Sequence, residues 1–428
     1  MSTLARLGFL FVFLLPTAAT AAAQITPPLR VDGIGMPWIE RFETAATTDA
    51  PTSARTAALV VLAWLRLANH ERARTALATC CAAADLEAGA DRVDPAWAAA
   101  ASLWYLRATH DEATIRRHLP RLATTLARIG PTASRERFAD ETLLVHGLLC
   151  IAAAESFLDL DRPRDASRAN GRTRQAIDRW LDVERRAWQP GRQHFRPLLT
   201  NGGITLPEPA DATVLWPAAA GMLVATGELA TLHARTVLRA AFEGDPADSR
   251  HEHFTGAADA ALLLTTATQF DPKRRAEAWA RFASPRDGEA GLAIAALDLD
   301  TALFAITGIR LATGAGVDEG WLRFRPWLPA NCDRVRLRGL HAEGTPFDLE
   351  VERRRGALAA DESNDEFAEE FDAESAKATS GERLCVRIAV AESASRPVRI
   401  VLQGPTVQFV GQITPGVPFV RSLPTSEP

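Results

Sequence analysis

Between residues 53 and 308 the sequence alternates between stretches almost free of charge and stretches dense in arginine. The apolar stretches fall at residues 53–69 (SARTAALVVLAWLRLAN), 95–109 (PAWAAAASLWYLRAT), 141–158 (ETLLVHGLLCIAAAESFL), 212–227, 256–268 and 290–308. Charged, amphipathic stretches lie between them at residues 70–85, 111–129, 162–187, 228–243 and 271–283. A helix that is apolar on all sides must be buried on all sides, whereas one with a charged face lies against solvent. Six buried helices alternating with five surface helices predict two concentric layers, an (α/α)6 toroid. One outer helix is missing, and residues 27–50 are the candidate substitute.

The links are unequal. Short ones follow the apolar stretches, such as NHE near residue 70 and HDE near residue 111. Long ones precede them, at residues 86–94, 130–140, 186–211, 244–255 and 284–289. The N-terminal ends of the inner helices therefore share one elaborated face. Loops on a rigid scaffold carry function disproportionately, and helix N-termini favour negative groups. Asp94-Pro95 reads as an N-cap followed by proline at the first helical position.

At residues 298–329, DLDTALFAITGIRLATGAGVDEGWLRFRPWLP, the pattern changes. The last apolar helix stops near Gly308, and the alternation that follows is that of strands. Strands are predicted at 334–340, 345–353, 383–391, 397–403 and 406–412, with edge prolines suited to a small antiparallel β-sandwich. The division expected is a signal peptide over 1–23, an irregular leader over 24–52, the toroid over 53–313, and a sandwich over 314–428. An acidic tract at 358–380 reads as a solvated insertion between strands.

The junction WLRFRPWLP followed by LRGLHAEGTPFDLEVER resembles that of the six-hairpin glycosidases, the glucoamylase-, trehalase- and maltose-phosphorylase-like enzymes. In these a toroid precedes a β-sandwich. Hydrolysis of a glycosidic bond needs two carboxyl groups across the scissile bond, one an acid and one a base or nucleophile. The resemblance implies an acid from the loop before the third inner helix, where ASRERFADE supplies Glu136, Asp140 and Glu141. It implies a base from the loop before the sixth, where ASPRDGEAG supplies Asp287 and Glu289. By loop position the preferred pair is Glu141 as acid and Glu289 as base in an inverting reaction. Each candidate also has a plainer reading: Asp140 as an N-cap, Glu141 as a first-turn charge, Asp287 as a turn residue.

Asp94, Trp97, Glu208, Asp211 and Trp216 fall on the same face and are candidates for binding substrate. Indole faces stack on sugar rings, although a Trp at a helix start also serves as core packing. His251 and His253 lack a third ligand, so no metal and no cofactor is expected. His146, inside an apolar helix, reads as a core residue. Polysaccharide lyases also join toroids to sandwiches and often use tyrosine, but the single Tyr105 lies mid-helix. A toroid without its acid pair would serve instead as a carbohydrate-binding or assembly protein.

The formal net charge of −5 implies no nucleic-acid partner. MSTLARLGFLFVFLLPTAATAAAQ has the form of a signal peptide cleaved near Ala23, which predicts a secreted or periplasmic protein without an integral membrane segment. Of the five cysteines, Cys332 and Cys385 both fall in the sandwich and are candidates to pair.

Overall fold

The computed structural model describes residues 30–32, 37–84, 91–129, 137–158, 163–197, 199, 215, 228–243, 258–284, 291–309, 321–342, 345–354, 382–392, 394, 397–404 and 407–425. The helices are α1 (Pro37–Thr48), α2 (Ala54–Arg66), α3 (His70–Ala83), α4 (Asp94–Thr109), α5 (Glu112–Arg128), α6 (Phe138–Leu158) and α7 (Pro163–Ala187). They continue as α8 (Glu228–Glu243), α9 (Asp259–Phe270), α10 (Arg275–Ala283) and α11 (Leu292–Thr307).

Burial follows the charge alternation. Nearly every residue of α2, α4, α9 and α11 is buried, and so are most of those of α6. In α7, by contrast, only Ala176, Val183 and Ala187 of the residues 170–187 are buried. The inner helices pack side by side in the order α9, α11, α2, α4, α6, each backed by an outer helix. The remaining inner stretch, 212–227, lies outside the described residues apart from the buried Leu215. α6 is long and apolar enough to cross a bilayer, but it is a core helix packed among α4, α5 and α7. Alanine and glycine let these helices approach closely: a β-carbon on Gly147 would fall 2.8 Å from Ala96 Cα.

Two links show how inner helices turn into outer ones. Ala68 and His110, both at φ 55°, end α2 and α4 in the left-handed region. The next residues, Asn69 and Asp111, cap the following helix by accepting from the N–H of Arg72 and Thr114 at 3.1 Å. α4 itself begins at Asp94, one residue earlier than the N-cap reading, with Val93 at the cap.

The leader read as irregular holds a strand, β1 (Arg30–Asp32), and helix α1. α1 packs on α11 as the missing outer helix, with Trp38 against Trp279 and Phe282 of α10 and Phe42 against Trp64 of α2. Three residues are too few to show strand periodicity, which is why β1 escapes a reading by pattern.

Beyond α11 lies the β domain: β4 (Trp321–Phe324), β5 (Arg334–Ala342), β6 (Thr345–Arg354), β7 (Arg383–Val390), β8 (Val398–Gln403), β9 (Gln408–Ile413) and β10 (Phe419–Pro424). A short hairpin, β2 (Trp188–Gln189) and β3 (His194–Phe195), lies earlier, after α7. One sheet has the antiparallel order β1-β5-β6-β7-β10. The other has the order β4-β8-β9, in which β4 and β8 run parallel, a departure from the all-antiparallel expectation. Alternation places Phe347, Leu349 and Val351 inward, opposite Val390, Ile388 and Val386. Phe324 meets Phe347 edge-on at 5.4 Å, joining the two sheets. Cys332 donates to the carbonyl of Arg334 at 3.3 Å, and no disulfide joins it to Cys385 among the described residues. The acidic tract 358–380 lies outside the described residues.

The junction is locked by backbone contacts. Gly308, at φ +71°, closes α11 through its N–H to Phe304 O at 2.8 Å. The returning chain then donates from Arg325 N to Thr307 O and from Trp327 N to Ile306 O, both at 3.0 Å.

Candidate functional site

The starts of α2, α4 and α6 come together. Their first turns carry Arg55, Asp94, and the pair Asp140 and Glu141, with Asp91 and Arg92 just ahead of α4. The β2–β3 hairpin closes over the start of α6. Phe195 stacks on Phe138 at 4.7 Å, and Phe138 N donates to Pro197 O at 2.8 Å. His233 of α8 steadies the hairpin, its Nδ1 accepting from Phe195 N at 3.2 Å. The long link after α7 thus begins on the same face as the inner-helix N-termini.

Glu141, the expected acid, is 2% exposed and engaged at both oxygens. Oε1 accepts from Arg92 at 2.6 Å, and Oε2 accepts from Arg179 Nη2 at 2.7 Å and Nε at 3.0 Å. Arg179 also donates to Ile129 O at 2.8 Å, so it ties α7 to α6 and to the end of α5. A carboxylate accepting three charge-assisted hydrogen bonds serves as an anchor between these elements. Arg179 was not singled out by sequence reasoning. It lies on a face whose charge density reads as solvent-exposed, and its partner is on another helix.

Asp140 is half-buried and differs from its neighbour. Burial raises its carboxyl above the ordinary value, against the lowering charge of Arg137. The charges of Asp91 and Glu141 add to the rise, and that of Arg92 opposes it. Asp94, 9% exposed, is also raised by burial. A hydrogen bond from Asp91 N at 2.8 Å lowers it, the charge of Asp91 raises it, and Arg55 lowers it. Two carboxyl groups with increased proton affinity therefore share this mouth with a third that is clamped by arginine.

Trp97 is 3% exposed and lies in the core, so its ring faces are not open to a ligand. Glu136, Glu208, Asp211, Trp216, His251, His253, Asp287 and Glu289 lie outside the described residues. His146 is buried beside Cys150, with Nε2 at 3.3 Å from the sulfur. Tyr105 sits near the far end of α4 and donates to Asp111 at 3.1 Å, away from the mouth.

The described residues form a helical toroid that leads into a two-sheet β domain. No protein-family model matches the chain, and no curated protein does. Among solved structures the chain is similar to the α-L-rhamnosidase of Streptomyces avermitilis, determined with L-rhamnose, at a TM-score of 0.53 and 11% identity. The match covers 89% of this chain and 39% of the rhamnosidase, so the chain spans well under half of that protein's length. At this identity the likeness is one of fold.

Proposed function

We propose that the chain is a carbohydrate-active protein of glycoside-hydrolase type, with its site at the mouth formed by the inner-helix N-termini. The observation that carries this reading is Asp140: a half-buried carboxyl, raised by burial, beside a second raised carboxyl at one end of a glycosidase-like toroid. A general acid must hold its proton near the working pH until the glycosidic oxygen takes it, and burial shifts Asp140 in that direction. In this proposal Asp140 takes the acid role, because both oxygens of Glu141 are committed to arginine. Glu289 or Asp287, ahead of α11, supplies the base that activates water. An inverting reaction requires about 6.5–9.5 Å between the two carboxyl groups, with the water between them. Export, inferred from the N-terminal segment, would place the protein with extracellular or periplasmic glycans.

A non-catalytic sugar-binding toroid is the second reading, and the locking of Glu141 favours it. Purified protein should be screened against aryl glycosides, α-L-rhamnosides first, with and without phosphate. Asp140→Asn and Glu289→Gln should each lower turnover at least about 10²-fold with the fold intact. Full turnover by Asp140→Asn would remove the acid assignment, and sugar binding without turnover in the native protein would establish the second reading.

A further inference from the structure

Two neighbouring arginines meet opposite surroundings. Arg274 lies 3.6 Å from Asp271 and 3.4 Å from Glu277, and it also pairs with Glu243. Arg275, 2% exposed, has no carboxylate partner among the described residues. Among the described residues its hydrogen bonds are long and go to carbonyl oxygens, Arg325 O at 3.3 Å and Thr268 O at 3.4 Å. Among the described residues its Nε–H has no hydrogen-bond partner, and neither does the hydroxyl of Thr268, which is 1% exposed. Trp327 covers one side, its ring centre 5.8 Å from the guanidinium carbon. A second guanidinium adds to the positive charge. Burial first, and then the charge of Arg325, bring Arg275 down to about 9. Burial likewise lowers Arg325.

A buried cation with a like charge beside it, an unpaired N–H of its own and an unpaired hydroxyl on the neighbouring helix is a costly arrangement, and a water or an ion is one way such groups are satisfied. A water would accept from both donors but leave the charge uncompensated. A small anion accepts from both and supplies the missing negative charge. We propose that Arg275, Thr268 and Arg325 bind a small monovalent inorganic anion of the chloride type at the junction between toroid and β domain. Because Arg325 N donates to Thr307 O at the end of α11, the anion fastens α9 and α10 to the strand that leads into the sandwich. Anything that binds only the folded state stabilises it by mass action. This inference does not depend on the sugar reading.

The test is thermal unfolding of the full chain in sodium chloride against sodium gluconate at constant ionic strength, with crystals grown in bromide for anomalous scattering. Tm should rise by a few degrees and saturate in chloride, and stay flat in gluconate. A bromide peak should lie against Arg275 Nε and Thr268 Oγ1. Arg275→Gln should abolish the chloride-dependent rise. Should that variant fail to fold, Thr268→Val, which removes one donor at nearly constant volume, should shift the chloride midpoint upward several-fold. Equal Tm in the two salts, or a water without bromide scattering between these donors, overturns the proposal. So does a chloride response that survives in Arg275→Gln or is unchanged in Thr268→Val.

Discussion

The N-terminal ends of α4 and α6 hold the raised carboxyl groups of Asp94 and Asp140, whereas the C-terminal ends of α2 and α11 are tied together by a buried ion pair and backbone hydrogen bonds. At the closed end Arg66, last in α2, donates to Asp300 at 2.6 Å and to Ile309 O at 2.8 Å, with both side chains buried. A cation at a helix C-terminus also agrees with the helix dipole. At the mouth the dipole favours ionised carboxylates, yet burial outweighs it and raises both aspartates. One end is built for stability. The other holds two carboxyl groups above their ordinary value, the direction that the proposed proton donor needs.

The comparison breaks most visibly at Asp300. Asp300→Ala leaves Arg66 buried without its counter-charge and should cost about 3–5 kcal/mol in denaturant unfolding. A loss as small as that of a surface pair would mean that the closed end is not closed. Gly308→Ala should cost about 2–4 kcal/mol, from the left-handed backbone and from overpacking. The added β-carbon would fall 2.5 Å from Arg325 N, in backbone that cannot swing aside.

The mouth should respond with the opposite sign. Asp140→Asn should leave stability at neutral pH unchanged or increased. The folded state binds the Asp140 proton more tightly than the unfolded chain does, so the native protein loses stability as pH rises from the ordinary 3.8 through the raised folded value. Below that window the native protein and Asp140→Asn should converge, and above it the variant should be at least as stable. Urea titrations at several pH values read this directly, and a variant less stable at neutral pH would contradict it. The smallest effect belongs to the exposed pair Glu112–Arg116 at 3.0 Å, where Glu112→Ala should cost about 0.3–0.5 kcal/mol.

The two layers were legible because a helix without a polar face has nowhere to go but the interior. The stop at Gly308 was legible because only glycine sits easily at φ +71°. What escaped depends on partners distant in sequence. Arg66 ends one apolar helix and Asp300 lies inside another, and nothing local says that they meet across 234 residues. Arg179 and Glu141 pair across 38 residues, a contact that no local pattern announces. The parallel pairing of β4 with β8 is a matter of topology, which alternation along a strand does not encode. Asp140 lies beside the preferred acid in sequence, and only packing separates their roles.

The central claim, that the mouth rather than the closed end or the sandwich receives sugar, is tested most directly by a crystal soaked with the sugar that gives the strongest response in the glycoside screen. The account predicts density at the starts of α4 and α6, with a sugar oxygen within hydrogen-bond reach of Asp140. Sugar density on the β domain or at the Gly308 end, with the mouth empty, would contradict it.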